Sequence, residues 1–152
     1  MFWEYENSVD SNIAIYDSLE TRSFTYLDLK NSTETLREIV PTSHKMLAMV
    51  FCDNSYRSVQ VYLSLLELGH AVVLLDPAMD ASLVQNILQF YRPEIIWNPS
   101  RSTEQFLDFE VVALDEFQWV LIRQKNHCKI EIHSDLAVLL STSGTTGSPK
   151  LV

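Results

Sequence analysis

Two spacings of apolar residues alternate through the middle of the chain. Met46 to Phe51, Ala71 to Leu75 and Ile95 to Trp97 are unbroken apolar runs, the pattern of strands covered on both faces. Between the first two, the pattern predicts a helix from about Tyr56 to Leu68, with Gly69 where a left-handed residue ends a helix. Between the second and third, Leu83, Val84, Ile87, Leu88 and Tyr91 recur at helical spacing. They predict a helix from about Ala81 to Tyr91, closed by Pro93. Strand, helix, strand, helix, strand makes two right-handed βαβ units and a parallel sheet.

The flanks follow other rules. Asn12 to Tyr16 and Arg22 to Phe24 bracket the polar stretch Asp17 to Thr21 and predict a β-hairpin. Thr25, with Asp28 three residues on, predicts a capped helix running to about Ile39, stopped by Pro41. After Trp97, residues 111–114, 119–122 and 129–132 are short strand candidates without helices between them, an antiparallel or mixed addition to the sheet. A last apolar run, Leu136 to Leu140, predicts one more strand. The expected fold is α/β: a three-layer sandwich with a mainly parallel sheet, an N-terminal β-hairpin and mixed strands toward the C-terminus, one unit over residues 1–152.

Twenty acidic against 11 basic side chains give a net charge of −9. Such a surface repels nucleic acid and anionic membrane, whose phosphates demand clustered Lys and Arg. The first residues lack the positive region of a signal peptide, and no apolar stretch reaches membrane-spanning length. Cys52 and Cys128 lack metal-type spacing and fit buried or free thiols of a reducing, cytoplasmic compartment. His44, His70, His127 and His133 form no ligand pair and read as surface or capping residues. Asp53 reads as a turn or cap beside Ser55, and Trp3, Trp97 and Trp119 read as packing aromatics.

The chemistry concentrates after the last apolar run. Ser141, Thr142, Ser143, Thr145 and Thr146 supply five hydroxyls around Gly144; Gly147 and Lys150 follow. Small residues expose backbone N–H groups to an anion, hydroxyls add donors, and a lysine adds a point charge. A strand leading into such a loop presents it at the carboxyl end of a parallel sheet. The P-loop pattern does not fit: counted from Gly144, Pro149 stands at the second Gly, and Leu151 replaces the Ser or Thr that holds Mg²⁺.

The run Thr-Ser-Gly-Thr-Thr-Gly-Ser-Pro-Lys, residues 142–150, resembles the signature of adenylate-forming (AMP-binding) enzymes: acyl-CoA synthetases, luciferases and nonribosomal peptide synthetase adenylation domains. Phe24 to Leu29 resembles that family's first motif. Leu65 to Pro77 resembles its Leu-rich helix end, Gly, apolar strand and Asp-Pro. Ser141 stands where the family usually has a large residue, and Leu151 where it usually has Gly.

The resemblance implies a two-step ligase that activates a carboxylic acid with ATP and Mg²⁺ as an acyl-adenylate, then passes the acyl group to the thiol of CoA or a carrier protein. It assigns ATP phosphate binding to Thr142, Ser143, Gly144, Thr145, Thr146, Gly147 and Lys150. It places the catalytic residues, metal ligands, acyl pocket and C-terminal lid downstream, so the 152 residues are expected to be the inactive N-terminal portion of a larger AMP-binding domain. Faces meant for the rest would favour a homodimer. Two other readings stay open: a non-catalytic nucleotide- or flavin-phosphate-binding module, and an interaction domain with a degenerate site.

Overall fold

The computed structural model describes residues 4–99, 106, 109–114, 119–124, 131–142 and 150–151. The central run of elements is β3 (Leu47–Phe51), α2 (Tyr56–Glu67), β4 (Ala71–Leu75), α3 (Ala81–Tyr91) and β5 (Ile95–Trp97). The β3, β4 and β5 strands are parallel, in the spatial order β5-β3-β4. The connection through α2 steps one way across the sheet, and that through α3 steps back over β3. Crossovers of one hand running in opposite directions lay their helices on opposite faces.

The core shows both faces. Ala48, Val50 and Val72 pack with Val61 and Leu65 of α2, joined by Leu36. Leu47, Met49, Phe51, Val73 and Leu75 pack with Val84, Ile87 and Leu88 of α3. Alternate residues of one strand therefore serve opposite layers, which is why these strands are apolar throughout rather than every second residue.

Helix ends follow local chemistry. The hydroxyl of Ser55 caps α2, accepting from the Ser58 N–H at 3.3 Å. At the other end Gly69 has φ +86°, and the Gly69 and His70 N–H groups donate back to the Leu66 and Leu65 carbonyls, both at 3.0 Å. This is a Schellman closure, whose left-handed residue carries least strain as Gly. At the end of α3, Arg92 takes the left-handed position (φ 45°) with its N–H on the Leu88 carbonyl, and Pro93 prevents a further turn.

An antiparallel hairpin, β1 (Ile13–Asp17) and β2 (Arg22–Thr25), leads into α1 (Tyr26–Arg37). Thr25 and Asp28 complete a capping box: the Thr25 hydroxyl accepts from the Asp28 N–H (3.3 Å), and the Asp28 carboxylate accepts from the Thr25 N–H (2.6 Å). Hydroxyls join α1 to α2, with Tyr5 bonded to Thr33 (2.6 Å) and Thr33 donating to Ser64 (2.9 Å). Asp17 fastens the hairpin to α2. It is 5% exposed and accepts from the Leu19, Glu20 and Tyr56 N–H groups at 2.8, 3.1 and 2.7 Å.

Beyond β5, β6 (Phe109–Leu114) and β7 (Trp119–Gln124) add antiparallel strands at one edge. On the other edge β8 (Val138–Thr142) lies parallel to β4, and β9 (Lys150–Leu151) pairs antiparallel with β8. The α/β sandwich, its hairpin and its mixed edges are those expected. Two details differ. Of the strand candidate at 129–132, Lys129 and Ile130 lie outside the described residues and Glu131 and Ile132 lie outside any strand, just before a turn at 133–136 where the Leu136 N–H donates to the His133 carbonyl. The last strand starts two residues later than its apolar run, because β4 pairs with Val138 to Leu140. Among the described residues no helix is long and apolar enough to cross a membrane.

Candidate functional site

The carboxyl ends of β8, β4 and β3 lie side by side. Register pairs Leu74 with Leu140; β4 ends at Leu75, with Asp76 next in the chain, and β8 ends at Thr142. Between β3 and β4 the outgoing connections leave toward opposite faces, and the carboxyl ends at such a switch point are the usual ligand position in parallel sheets. Thr142 ends β8 and Lys150 opens β9, and they are register partners. Two of the seven expected phosphate-binding residues are thus brought together on adjacent backbones. Ser143, Gly144, Thr145, Thr146 and Gly147 lie outside the described residues. Leu151 pairs with Ser141, so the two departures from the family pattern sit opposite each other, where Leu suits an extended strand as well as Gly does.

The turn after β3 is polar. Asp53 accepts from the Ser55 N–H (3.1 Å), the Ser55 hydroxyl (2.5 Å) and the Ser58 hydroxyl (2.5 Å). Burial works against its charge, but the hydrogen bonds from Ser55 and Ser58 outweigh it and hold the carboxyl below its usual range. Asp53 is therefore an organiser of the β3–α2 turn, as its sequence context suggests. Asn54 next to it takes φ 60°, a conformation that Asn tolerates better than most residues. Asp76 accepts from the Ala78 N–H at 2.8 Å and shapes the turn after β4. The place of β4 beside β8 was hidden in the sequence, since strand order is not written in any local pattern.

Other singled-out residues are structural. Burial pushes the half-buried Cys52 thiol up to about 11, so it carries no thiolate near neutral pH. His70 is not at the surface: it is 2% exposed, accepts from the Met46 N–H at 3.2 Å, and is held neutral by burial, which brings its imidazole down to about 4. His44 pairs with Glu94 at 2.9 Å, and His133 accepts from the Asp135 N–H. Trp97 is core; Trp3, His127, Cys128 and the Trp119 side chain lie outside what is described. Among the described residues no group of three or more His, Cys, Asp or Glu could hold a metal ion.

Comparisons with known proteins bear on this arrangement. Tyrocidine synthase 1 of Brevibacillus parabrevis is 27% identical over 157 residues, covering 99% of this chain and 14% of that protein. The NRPS-like oxidoreductase fscA of Fusarium equiseti is 28% identical over 111 residues, 71% of this chain and 11% of that protein. The chain thus spans only a small fraction of the length of these relatives. Among solved structures, the O-succinylbenzoate coenzyme A synthetase MenE of Bacillus subtilis, in complex with AMP, superposes with a TM-score of 0.69 at 21% identity, covering 100% of this chain and 41% of that one. The sequence matches the AMP-binding enzyme family over residues 7–152, and the chain therefore belongs to that family.

Proposed function

We propose that this chain is the N-terminal portion of an adenylate-forming ligase, and that residues 142–150 hold the phosphates of ATP. The observation that carries the reading is the position of the run: it leaves the carboxyl end of the parallel strand β8, and its first and last residues, Thr142 and Lys150, return to adjacent backbones. Backbone N–H groups and hydroxyls from Thr142 to Gly147 would donate to the β and γ phosphates, and the Lys150 ammonium would offset their charge.

The chemistry is acyl transfer through a mixed anhydride. A carboxylate oxygen of the acid attacks the α-phosphorus of ATP, the bond to the bridging oxygen breaks, and pyrophosphate leaves with that electron pair. The thiol of CoA or of a carrier protein then attacks the acyl carbon, and AMP leaves. Gripping the β and γ phosphates fixes the leaving group in line and stabilises its developing charge, so the chain's contribution is positioning and electrostatics. Mg²⁺ would add charge neutralisation; the described residues offer it no ligand cluster, and no step here depends on one. Groups that orient the acid and stabilise the α-phosphate would come from other parts of the enzyme. The 152 residues by themselves would then bind nucleotide weakly and leave it intact.

Titrating the chain with ATP, AMP and FMN tests the loop directly. ATP and pyrophosphate should compete for one site and AMP should bind more weakly, since the gripped groups are the outer phosphates. Preferential binding of FMN would favour a flavin-binding module instead. Copies of the chain are expected to associate, because large apolar side chains, Phe90 on α3 and Leu140 on β8 among them, are exposed.

A further inference from the structure

An irregularity in the β1–β2 pairing turns an isoleucine out to solvent. Ile15 lies opposite Phe24 and Tyr16 opposite Ser23, yet Ile13 lies opposite Thr25, which leaves Ala14 as an extra residue, a β-bulge. Directly opposite residues share a face, and neighbours along a strand alternate. Phe24 is buried, and Ala14 and Ile15 both pack against the cluster it forms with Tyr5, Leu29 and Tyr56. Tyr16 with Ser23 and Ile13 with Thr25 therefore share the outer face. Strict alternation from the buried Asp17 would have put Ile13 inside. Instead it is 65% exposed, beside Tyr16 at 61%.

More apolar surface lies at the Ile13 end. The Leu27 N–H donates to the Asp10 carbonyl and the Tyr26 N–H to the Asn12 carbonyl, both at 3.1 Å, which holds the exposed Val9 and Leu27 on neighbouring backbones. Five of the seven large apolar side chains that the described residues expose fall between Val9 and Leu27, a concentration that marks an interaction surface rather than scatter. Beside this face runs an open edge: among the described residues β1 pairs with no strand but β2. Such an edge takes up an extended segment through main-chain hydrogen bonds, while alternate side chains of that segment meet the face.

Charge selects the segment. Residues 1–21 hold five carboxylates, Glu4, Glu6, Asp10, Asp17 and Glu20, and no Lys, Arg or His. All but Asp17 are exposed. The cations that follow are engaged: the Arg22 guanidinium lies 4.8 Å from the Phe24 ring centre, and Lys30 donates to the Asp10 carboxylate at 2.7 Å and to the Glu6 and Ser8 carbonyls. A second copy docked through this face would set the same carboxylates against each other across a two-fold axis, whereas a basic segment is attracted.

We propose that the outer face and open edge of β1 dock an extended, basic segment of another protein. The segment adds as a third strand to the hairpin, lays alternate apolar side chains on Ile13 and Tyr16, and brings Lys or Arg toward the carboxylates at either end. None of these residues belongs to the phosphate run, so the surface stands or falls independently of the ligase reading.

A blocked peptide of alternating lysine and valine, about seven residues long to span the five of β1, is the probe. In ¹H–¹⁵N spectra of the chain, the Ile13, Ile15 and Tyr16 backbone amides should shift saturably, with a midpoint on the order of 0.1–1 mM, the range of a few main-chain bonds and one apolar contact. About 0.5 M sodium chloride should weaken binding about fivefold or more, and the same peptide with glutamate for lysine should leave the signals in place. Ile13→Ser and Tyr16→Ser should each weaken binding about fivefold or more while the thermal midpoint holds, since both side chains are exposed. A longer protein that carries the rest of an AMP-binding domain should bind the peptide equally well. The proposal is overturned if the lysine peptide gives no saturable shift, if the glutamate peptide binds as well, or if either variant binds unchanged. It is also overturned if chain concentration alone moves the same amides, which would assign the face to a second copy, or if the longer protein loses binding, which would assign it to the enzyme's own chain.

Discussion

Thr142 and Lys150 face each other across the antiparallel pair of β8 and β9. Directly opposite residues in such a pair have Cα atoms about 4.5–5.5 Å apart, so the backbone of the only lysine in the signature run is fixed beside the strand end from which the run departs. Lys150→Ala should weaken ATP binding about tenfold or more, the loss of one hydrogen bond to a charged group at about 1.5–3 kcal/mol. The thermal midpoint should stay where it was, since alanine keeps the backbone pairing with Thr142. Titration of wild type and variant with ATP, alongside thermal melts, checks both halves.

The two core layers should respond alike to truncation, although different helices cover them. Leu65→Ala and Ile87→Ala each empty a fully buried position, one under α2 and one under α3. Each should cost about 2–5 kcal/mol. Phe90→Ser, on the exposed side of α3 at 79% exposure, should stay within about 0.5 kcal/mol of wild type. Denaturant midpoints compare the three, and an equal loss for Phe90→Ser would mean that α3 presents a different face to the sheet.

Stability should fall as the solution turns mildly acidic, and His70 is the reason. Burial, helped by the charges of His44 and Lys45, lowers its imidazole from 6.5 to about 4. The unfolded chain therefore takes up a proton first, and stability present above about pH 6.5 is lost progressively as pH falls toward 4. The loss should reach about 2 kcal/mol near pH 5. Urea titrations across this range in wild type and His70→Leu check it. The variant loses the acceptor for the Met46 N–H and starts less stable, but its pH slope above about pH 5 should flatten.

Asp17 couples the hairpin to α2 through the Tyr56 N–H, while the Leu19 and Glu20 N–H groups tie it to the hairpin's own turn. Hydrogen bonds from Tyr56 and Glu20 hold its carboxyl below the usual range, so its contribution is present above the unfolded carboxylate pKa and disappears as pH falls through the lowered value. Asp17→Ala should raise the amide hydrogen-exchange rates of Leu19, Glu20 and Tyr56 while sparing Val72 and Val73 in the sheet. Uniform acceleration across all five amides would show that the hairpin and the sheet open together.

Much of this fold could be read from local pattern because most of its elements obey local rules. The bounds of β4, α3 and β5 coincide with their apolar runs and helical spacing, and Gly69 and Thr25 play their capping parts as read. What stayed hidden depends on contacts distant in sequence. The burial of His70 follows from a Schellman turn that swings it onto the start of β3. The two-residue offset of β8 follows from its register with β4. The pairing of β4 with β8 follows from strand order, which places a strand near the C-terminus beside one from the middle of the chain. The candidate phosphate run is legible by residue type and spacing, and register joins its two ends, Thr142 and Lys150.

The central claim, that residues 142–150 are the phosphate grip of an adenylate-forming ligase, is tested most directly by carboxylate-dependent ATP–pyrophosphate exchange. The measurement compares the 152-residue chain with a protein that carries it together with the rest of an AMP-binding domain. The longer protein should catalyse exchange and the 152 residues should not. In the longer protein Lys150→Ala and Gly144→Val should each depress exchange while the fold persists, one by removing a charge and the other by blocking backbone approach to phosphate. Exchange by the 152 residues alone, or full exchange in both variants, would contradict the account.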